Sequence, residues 1–119
     1  MALTSGTLQD PTTADAWLQG VLADNQKIDP NASFCAGTTG PEAVNVPNGP
    51  AGRIAAMCYT ATPQGGQATK FVEIQMVGVD EAGTTLFIVD ILASEANIGE
   101  ILDAAGPLLP TISWKLYTG

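Results

Sequence analysis

Phe71-Val-Glu-Ile-Gln-Met-Val-Gly-Val-Asp-Glu-Ala-Gly-Thr-Thr-Leu-Phe-Ile-Val-Asp-Ile-Leu92 is the stretch on which the fold turns. In its first third, Val72, Ile74 and Met76 alternate with Glu73 and Gln75, the period-two pattern of a strand with one dry face and one wet face. Asp80-Glu81-Ala82-Gly83 reads as a hairpin loop, with Gly83 at the left-handed position. The return, Thr84 to Leu92, sets Phe87, Val89 and Ile91 on one side and Leu86, Ile88, Asp90 and Leu92 on the other. Apolar on both faces, it is expected near the centre of a sheet.

Upstream, Arg53 to Ala61 alternates small apolar residues, and Gln64-Gly65-Gly66-Gln67 supplies the turn that makes it a third antiparallel neighbour. A helix is predicted over about 11–26, opened by Asp10-Pro11, with Ala14, Trp17, Leu18, Val21 and Leu22 on one face and Asp15, Gln19 and Asp24 turned away. Residues 1–9 lack periodicity and read as a flexible tail, leaving 10–119 as a single domain. Between Asp29 and Gly52 the chain is thick with Pro, Gly, Asn and Thr, and only residues 43–46 suggest a short strand. Downstream, Ser94 is placed to cap a helix from Glu95 to about Ala105, with Ile98, Ile101, Leu102 and Ala105 as its stripe and Gly106-Pro107 as its stop. Thr111 to Tyr117 alternates again, with Ile112, Trp114 and Leu116 inward, and is expected to close the sheet. The pattern is that of an α+β domain: an antiparallel sheet of four to five strands with two helices packed on one face.

The 119 residues include four Lys or Arg against twelve Asp or Glu, a net charge of −8. Phosphate-backbone binding needs clustered cations, so nucleic acid is a poor partner, and an anionic membrane surface is disfavoured on the same ground. No run reaches the ~20 apolar residues of a transmembrane helix. With 45% apolar and 13% charged residues the chain has the composition of a folded domain.

Cys35 and Cys58 are the two cysteines. A bridge between them would stabilise by roughly 3 kcal/mol in the chain-entropy model and would tie the Gly/Pro-rich stretch to the sheet. The alternative is a buried, reduced Cys58 with Cys35 a bystander. Met1-Ala-Leu-Thr-Ser-Gly6 has neither a basic nor an apolar segment of a signal peptide. The expectation is an extracytoplasmic protein whose export signal has been removed, with the cytoplasm as the alternative.

The chain has no His, which removes Ser-His and Cys-His nucleophile pairs and imidazole metal sites, and no phosphate-binding glycine motif is present. No cofactor is expected. Asp90 stands out as an acid in an apolar strand, a setting that perturbs pKa values and can mark function, although a partly solvated strand end is the plainer explanation. Asp80 and Glu81 lack the ligand spacing of a calcium loop and read as a solvated hairpin tip. Asn31-Ala32-Ser33 matches the N-glycosylation pattern. Trp17 and Trp114 sit on apolar faces as core residues or as the lining of a pocket between helix and sheet, with Tyr59 and Tyr117 at its rim.

The runs FVEIQMVGV, TTLFIVDIL and ANIGEILDAAGPLLPTISWKL, within residues 70–117, resemble in element order the C-terminal half of the Mog1/PsbP-like fold, which includes small actinobacterial lipoproteins of the LpqN type. The resemblance implies a bacterial, non-enzymatic, often extracytoplasmic domain of uncharacterised role, and carries over no functional residue. Three functional expectations follow. The first is a binding or accessory domain that meets a protein partner through the 36–52 loop or the open sheet face. The second is a carrier of a small apolar ligand held between sheet and second helix, with Asp90 or Tyr59 as polar handle. The third is a carboxylate-dependent enzyme, which requires a second acid near Asp90. The oligomeric state is not legible in the sequence. Denaturing alkylation of non-reduced protein, read by intact mass, is expected to leave both cysteines unmodified; two alkylated thiols would remove the bridge and the case for export.

Overall fold

The computed structural model describes residues 1–38 and 40–114. Its centre is a meander of three long antiparallel strands, here β4 (Ala51–Ala61), β5 (Thr69–Val79) and β6 (Thr85–Ser94). Before them come β1 (Ala2–Thr7), α1 (Ala14–Ile28), β2 (Ser33–Phe34) and β3 (Glu42–Asn45); after them come α2 (Ile98–Ala105) and a 3-10 turn over Gly106–Thr111. The sheet has six strands in the order β1-β6-β5-β4-β2, with β3 also paired to β4. The α+β class and the antiparallel sheet are as the sequence predicts.

Register decides which side chains share a face. Gln75 lies opposite Asp90 on one side and Ala55 on the other, so Ala55, Met57, Val77, Leu86 and Ile88 project to one face while Ala56, Ile74, Val89 and Ile91 project to the other. Helix α1 covers the first face: Leu18, fully buried, packs with Ala55, Met57, Val77, Leu86 and Ile88, flanked by Ala14, Trp17, Val21 and Leu22. That is the apolar stripe expected for this helix. Helix α2 lies over the second face, where Ile98 and Leu102 border the same groove as Ala56 and Ile74. The two helices therefore take opposite faces instead of one, because β6 is apolar on both and needs cover on both.

Helix α1 begins later than Asp10-Pro11 suggests. Thr13 is its N-cap and accepts a hydrogen bond from the Ala16 N–H at 3.1 Å. Thr12 N–H instead donates to the Gly83 carbonyl at 2.8 Å, which holds residues 10–12 against the β5–β6 hairpin. At the other end Asp29 accepts from the Asn31 N–H at 3.0 Å and from the Thr60 N–H at 2.9 Å, fastening the helix to β4.

Residues 1–9, read as a tail, contain β1, which pairs along β6 from Ala2 opposite Asp90 to Thr7 opposite Thr85. This pairing also explains the second departure. The outer edge of β6 is already taken, and residues 106–111 form the 3-10 turn while 112–114 run without strand pairing, so the expected closing strand does not form over 111–114; its remainder, including Leu116 and Tyr117, lies outside the described residues. Ile112 is nonetheless buried. Asn48 Nδ2 donates to the carbonyls of Pro110 at 3.2 Å and Ile112 at 2.7 Å, and Trp114 Nε1 donates to the Pro47 carbonyl at 2.9 Å.

The Gly/Pro-rich stretch is more ordered than its composition suggests. Strands β2 and β3 share the outer edge of β4, at Met57–Cys58 and Ala51–Ile54 respectively. The disulfide joins Cys35, just beyond β2, to Cys58, with Cα atoms 5.0 Å apart. Val46 is 2% exposed and packs over Gly78, where an added Cβ would stand 2.9 Å from both Val46 and Pro50 side-chain carbons. Gly52, opposite Gly78, is tighter still: a Cβ there would collide with the Val77 carbonyl. Because that neighbour is backbone inside the meander, Gly52→Ala is expected to destabilise by about 2–3 kcal/mol. Urea unfolding checks this; a loss below about 0.5 kcal/mol would contradict the packing.

Candidate functional site

Two places on the sheet combine the residues singled out in the sequence, one on each face. On the α2 face, an open groove of about 660 Å³ runs between α2 and the segment from Asp29 to Ala36. Alternation along β4 and β5 puts Ala56, Cys58, Val72 and Ile74 on its floor, and Ile98 and Leu102, one helical turn apart, on its wall. The disulfide is part of the structure of the groove, since Cys35 and Cys58 both line it. Thr60, Lys70 and Glu95 make its margin polar. Leu102 remains 39% exposed, an apolar side chain at the open side of a concave, apolar floor. Tyr59 and Phe71 also line the groove; their rings stack with centroids 5.8 Å apart as direct cross-strand partners.

The α1 face holds a polar cluster where the strand pattern had indicated a wet face. Gln75 is only 8% exposed and Asn25, on the inner side of α1, only 7%. Asn25 Nδ2 donates to Glu73 Oε1 at 3.2 Å. Glu73 also lies within hydrogen-bonding reach of Asp90 and Gln75. This face of β5 is therefore covered, and the expectation of a solvated side is corrected: α1 lies across it and buries its polar residues along with its apolar ones. Burial, then the hydrogen bond to Asp90 and the negative charge of Asp90, push the Glu73 carboxyl up to about 7, while donation from Asn25 and Gln75 pulls the other way. The Tyr59 hydroxyl is raised above its ordinary value of 10.0, by burial first and then by the charges of Glu73 and Asp90.

Three buried polar atoms have no hydrogen-bond partner among the described residues: Trp17 Nε1, Gln75 Oε1 and Asp90 Oδ1. Buried acceptors and donors without partners are uncommon and mark places where water or a ligand group belongs.

The structure thus separates the four candidate ligand residues. Asp90, Tyr59 and Trp17 belong to the α1 face, Tyr59 also bordering the groove, whereas Trp114 belongs to the α2 face, edge-on to Phe87 at 5.4 Å. Asp90 is not a handle for the α2 groove, because alternation along β6 turns it away. Glu73 and Asn25 were missed in the sequence. Glu73 carried a usable signal, an acid two residues from Gln75 on a strand facing Asp90, but only the register shows that the two acids meet.

Asp80, considered for calcium, is occupied as the acceptor of the hairpin: the N–H groups of Thr84 and Thr85 donate to its Oδ1 at 3.0 and 3.1 Å. The Thr85 N–H foremost holds its carboxyl below the usual value. Gly83 has φ of +75°, the left-handed conformation read from the sequence. Among the described residues no group of three or more acids or cysteines is arranged to hold a metal ion.

Compared with protein-family models, with curated proteins and with solved structures, the chain matches none. What the site does is therefore read from its geometry.

Glu73 makes stability depend on pH in a definite direction. Its folded value lies above the ordinary 4.5, so its contribution is complete below about pH 4.5 and is lost as pH rises through about 7. Glu73→Gln keeps a donor toward Asp90 and a carbonyl toward Asn25 without the charge. After discounting for its partial exposure, it is expected to stabilise the protein by about 1 kcal/mol at pH 8 and by almost nothing at pH 4. Urea unfolding of both proteins at the two pH values checks this; the same stability difference at pH 4 and pH 8 would contradict it.

Proposed function

We propose that this chain is a non-enzymatic, extracytoplasmic binding domain that carries a small apolar ligand in the groove between α2 and the sheet. The observation that carries this reading is the groove itself: about 660 Å³ with an apolar floor of Ala56, Cys58, Val72 and Ile74 and a polar margin. Small-molecule sites are concave, mostly apolar and within roughly 300–1,000 Å³, with a few polar groups that orient the ligand. Thr60, Lys70 and Glu95 at its margin are those groups here.

Two observations favour a small ligand over a protein partner at the 36–52 loop. Its Val46–Pro50 turn is spent on the protein's own packing against Gly78, Ile112 and Trp114, and its first part is anchored by Cys35. An oxidising compartment suits a chain whose two cysteines are bridged, since such bridges persist mainly in extracytoplasmic proteins. No helix of the described residues is long and apolar enough to cross a membrane. The bacterial, Mog1/PsbP-like reading belongs to this same proposal and rests on the order of hairpin and helix in residues 70–105.

A carboxylate-dependent enzyme is the second reading, favoured by Glu73 beside Asp90. The two acids lie on the face opposite the groove, so a substrate bound in the groove would not reach them.

The groove is tested with the fluorescent apolar probe 1-anilinonaphthalene-8-sulfonate and by native mass spectrometry of protein from several hosts. Leu102→Glu places a charge at the groove's open side without touching the core. It is expected to weaken probe binding about tenfold, the effect of removing a contact of roughly 1.4 kcal/mol. Equal binding by both proteins, with only ligand-free mass, would sink the proposal.

A further inference from the structure

The polar cluster on the α1 face has a property that core packing does not explain. Gln75 and Asp90 are direct cross-strand partners on the same face, and each carries a buried oxygen without a donor. Opposed side chains in an antiparallel pair start from Cβ atoms about 4.5–5.5 Å apart, so the Gln75 and Asp90 side chains lie beside one another on this face. Glu73 adds a third acceptor, two residues along β5 and in reach of both neighbours. Gln75 is more than nine-tenths buried, so its free oxygen is a fixed feature of the interior and not a mobile surface group.

We propose that Glu73, Gln75 and Asp90 form a binding site for one N–H-rich organic cation, a primary ammonium or a guanidinium group. The site is independent of the groove on the other face. An ammonium offers three donors and a guanidinium five, and both make their strongest bonds with carboxylates. A bare metal ion fits less well, because Asn25 and Gln75 turn N–H groups toward Glu73 where a metal needs lone pairs. Ala2, opposite Asp90, is exposed, and Leu92, two residues along the same face of β6, is 48% exposed.

Protons compete for these oxygens. The groups facing Glu73 are Asn25 from α1, Gln75 beside it on β5 and Asp90 on β6, with Tyr59 on β4 sensing both acids; Asp24 and Lys27 of α1 pair with each other at the surface. None of the groups acting on Glu73 is a cation, so the cluster is short of positive charge. Below about pH 7 Glu73 takes a proton, which removes one negative charge from the cluster and displaces the ligand. Cation affinity is therefore expected to fall by up to about tenfold per pH unit below that point.

The experiment is a titration of isotope-labelled protein, followed by the NMR signals of the Gln75 and Asn25 side-chain amides. The probes are n-butylammonium, a blocked Gly-Arg-Gly peptide and sodium ion, at about pH 8 and about pH 5.5. Saturable shifts with an N–H cation at the higher pH, at least about tenfold weaker at the lower pH, are expected. Asp90→Asn should abolish them in a protein whose spectrum is otherwise native, and Gln75→Met, which removes one acceptor, should weaken them if the first variant fails to fold. Response to butylammonium alone identifies a free amine as the source; response to the peptide alone identifies a partner's side chain. No saturable shift with either, an internal water only, overturns the proposal, and so does an equal response to sodium.

Discussion

The register of β4, β5 and β6 is the constraint on which the rest depends. Gln75 stands between Ala55 and Asp90, and from that one alignment each side chain of the meander is assigned a face. A slip of one residue would turn Met57, Val77 and Ile88 away from Leu18 and put Ala56 and Ile74 beneath α1 instead. The core under α1 and the groove under α2 would be lost together. The Gly52–Gly78 pair pins this alignment, since only glycine at both positions lets the 46–50 turn and the Val77 backbone approach so closely.

The two faces are finished differently. Helix α1 closes its face with a broad apolar stripe and is fastened at both ends, by Thr12–Gly83 and by Asp29–Thr60. Helix α2 is a little over two turns long and covers only part of the other face, where Val46, Ile112 and Trp114 cover another part. What neither covers is the groove. A short helix following β6, with a disulfide fixing the facing segment at the edge of β4, leaves apolar floor open between them.

The acids on the α1 face run against the rule that buried charge is paired with opposite charge. Glu73 resolves this by holding a proton near neutral pH and by accepting from Asn25, a buried amide brought there by α1. The arrangement satisfies Glu73 but leaves Asp90 Oδ1 and Gln75 Oε1 without donors. Perturbed carboxyls with fixed, unsatisfied neighbours cluster at functional positions more than in structural cores. The same elements that stabilise the fold thus leave an acceptor-rich point within it.

Local sequence determined the meander, both helices and the Gly83 turn, because alternation, a 3.6-residue stripe and turn chemistry are properties of neighbouring residues. It also marked Asp90 and the cysteine pair, by composition and by the absence of other partners. Tertiary structure alone decided that residues 2–7 take the edge of β6, since nothing local in Ala-Leu-Thr-Ser-Gly-Thr demands pairing and an available strand edge does. It decided likewise that the helices divide between faces, that the 46–50 turn folds back on Trp114, and that Glu73 meets Asp90 beneath Asn25. Each of these rests on residues far apart in the chain whose meeting is set by strand register and by competition for the same edge, and a one-dimensional pattern records neither.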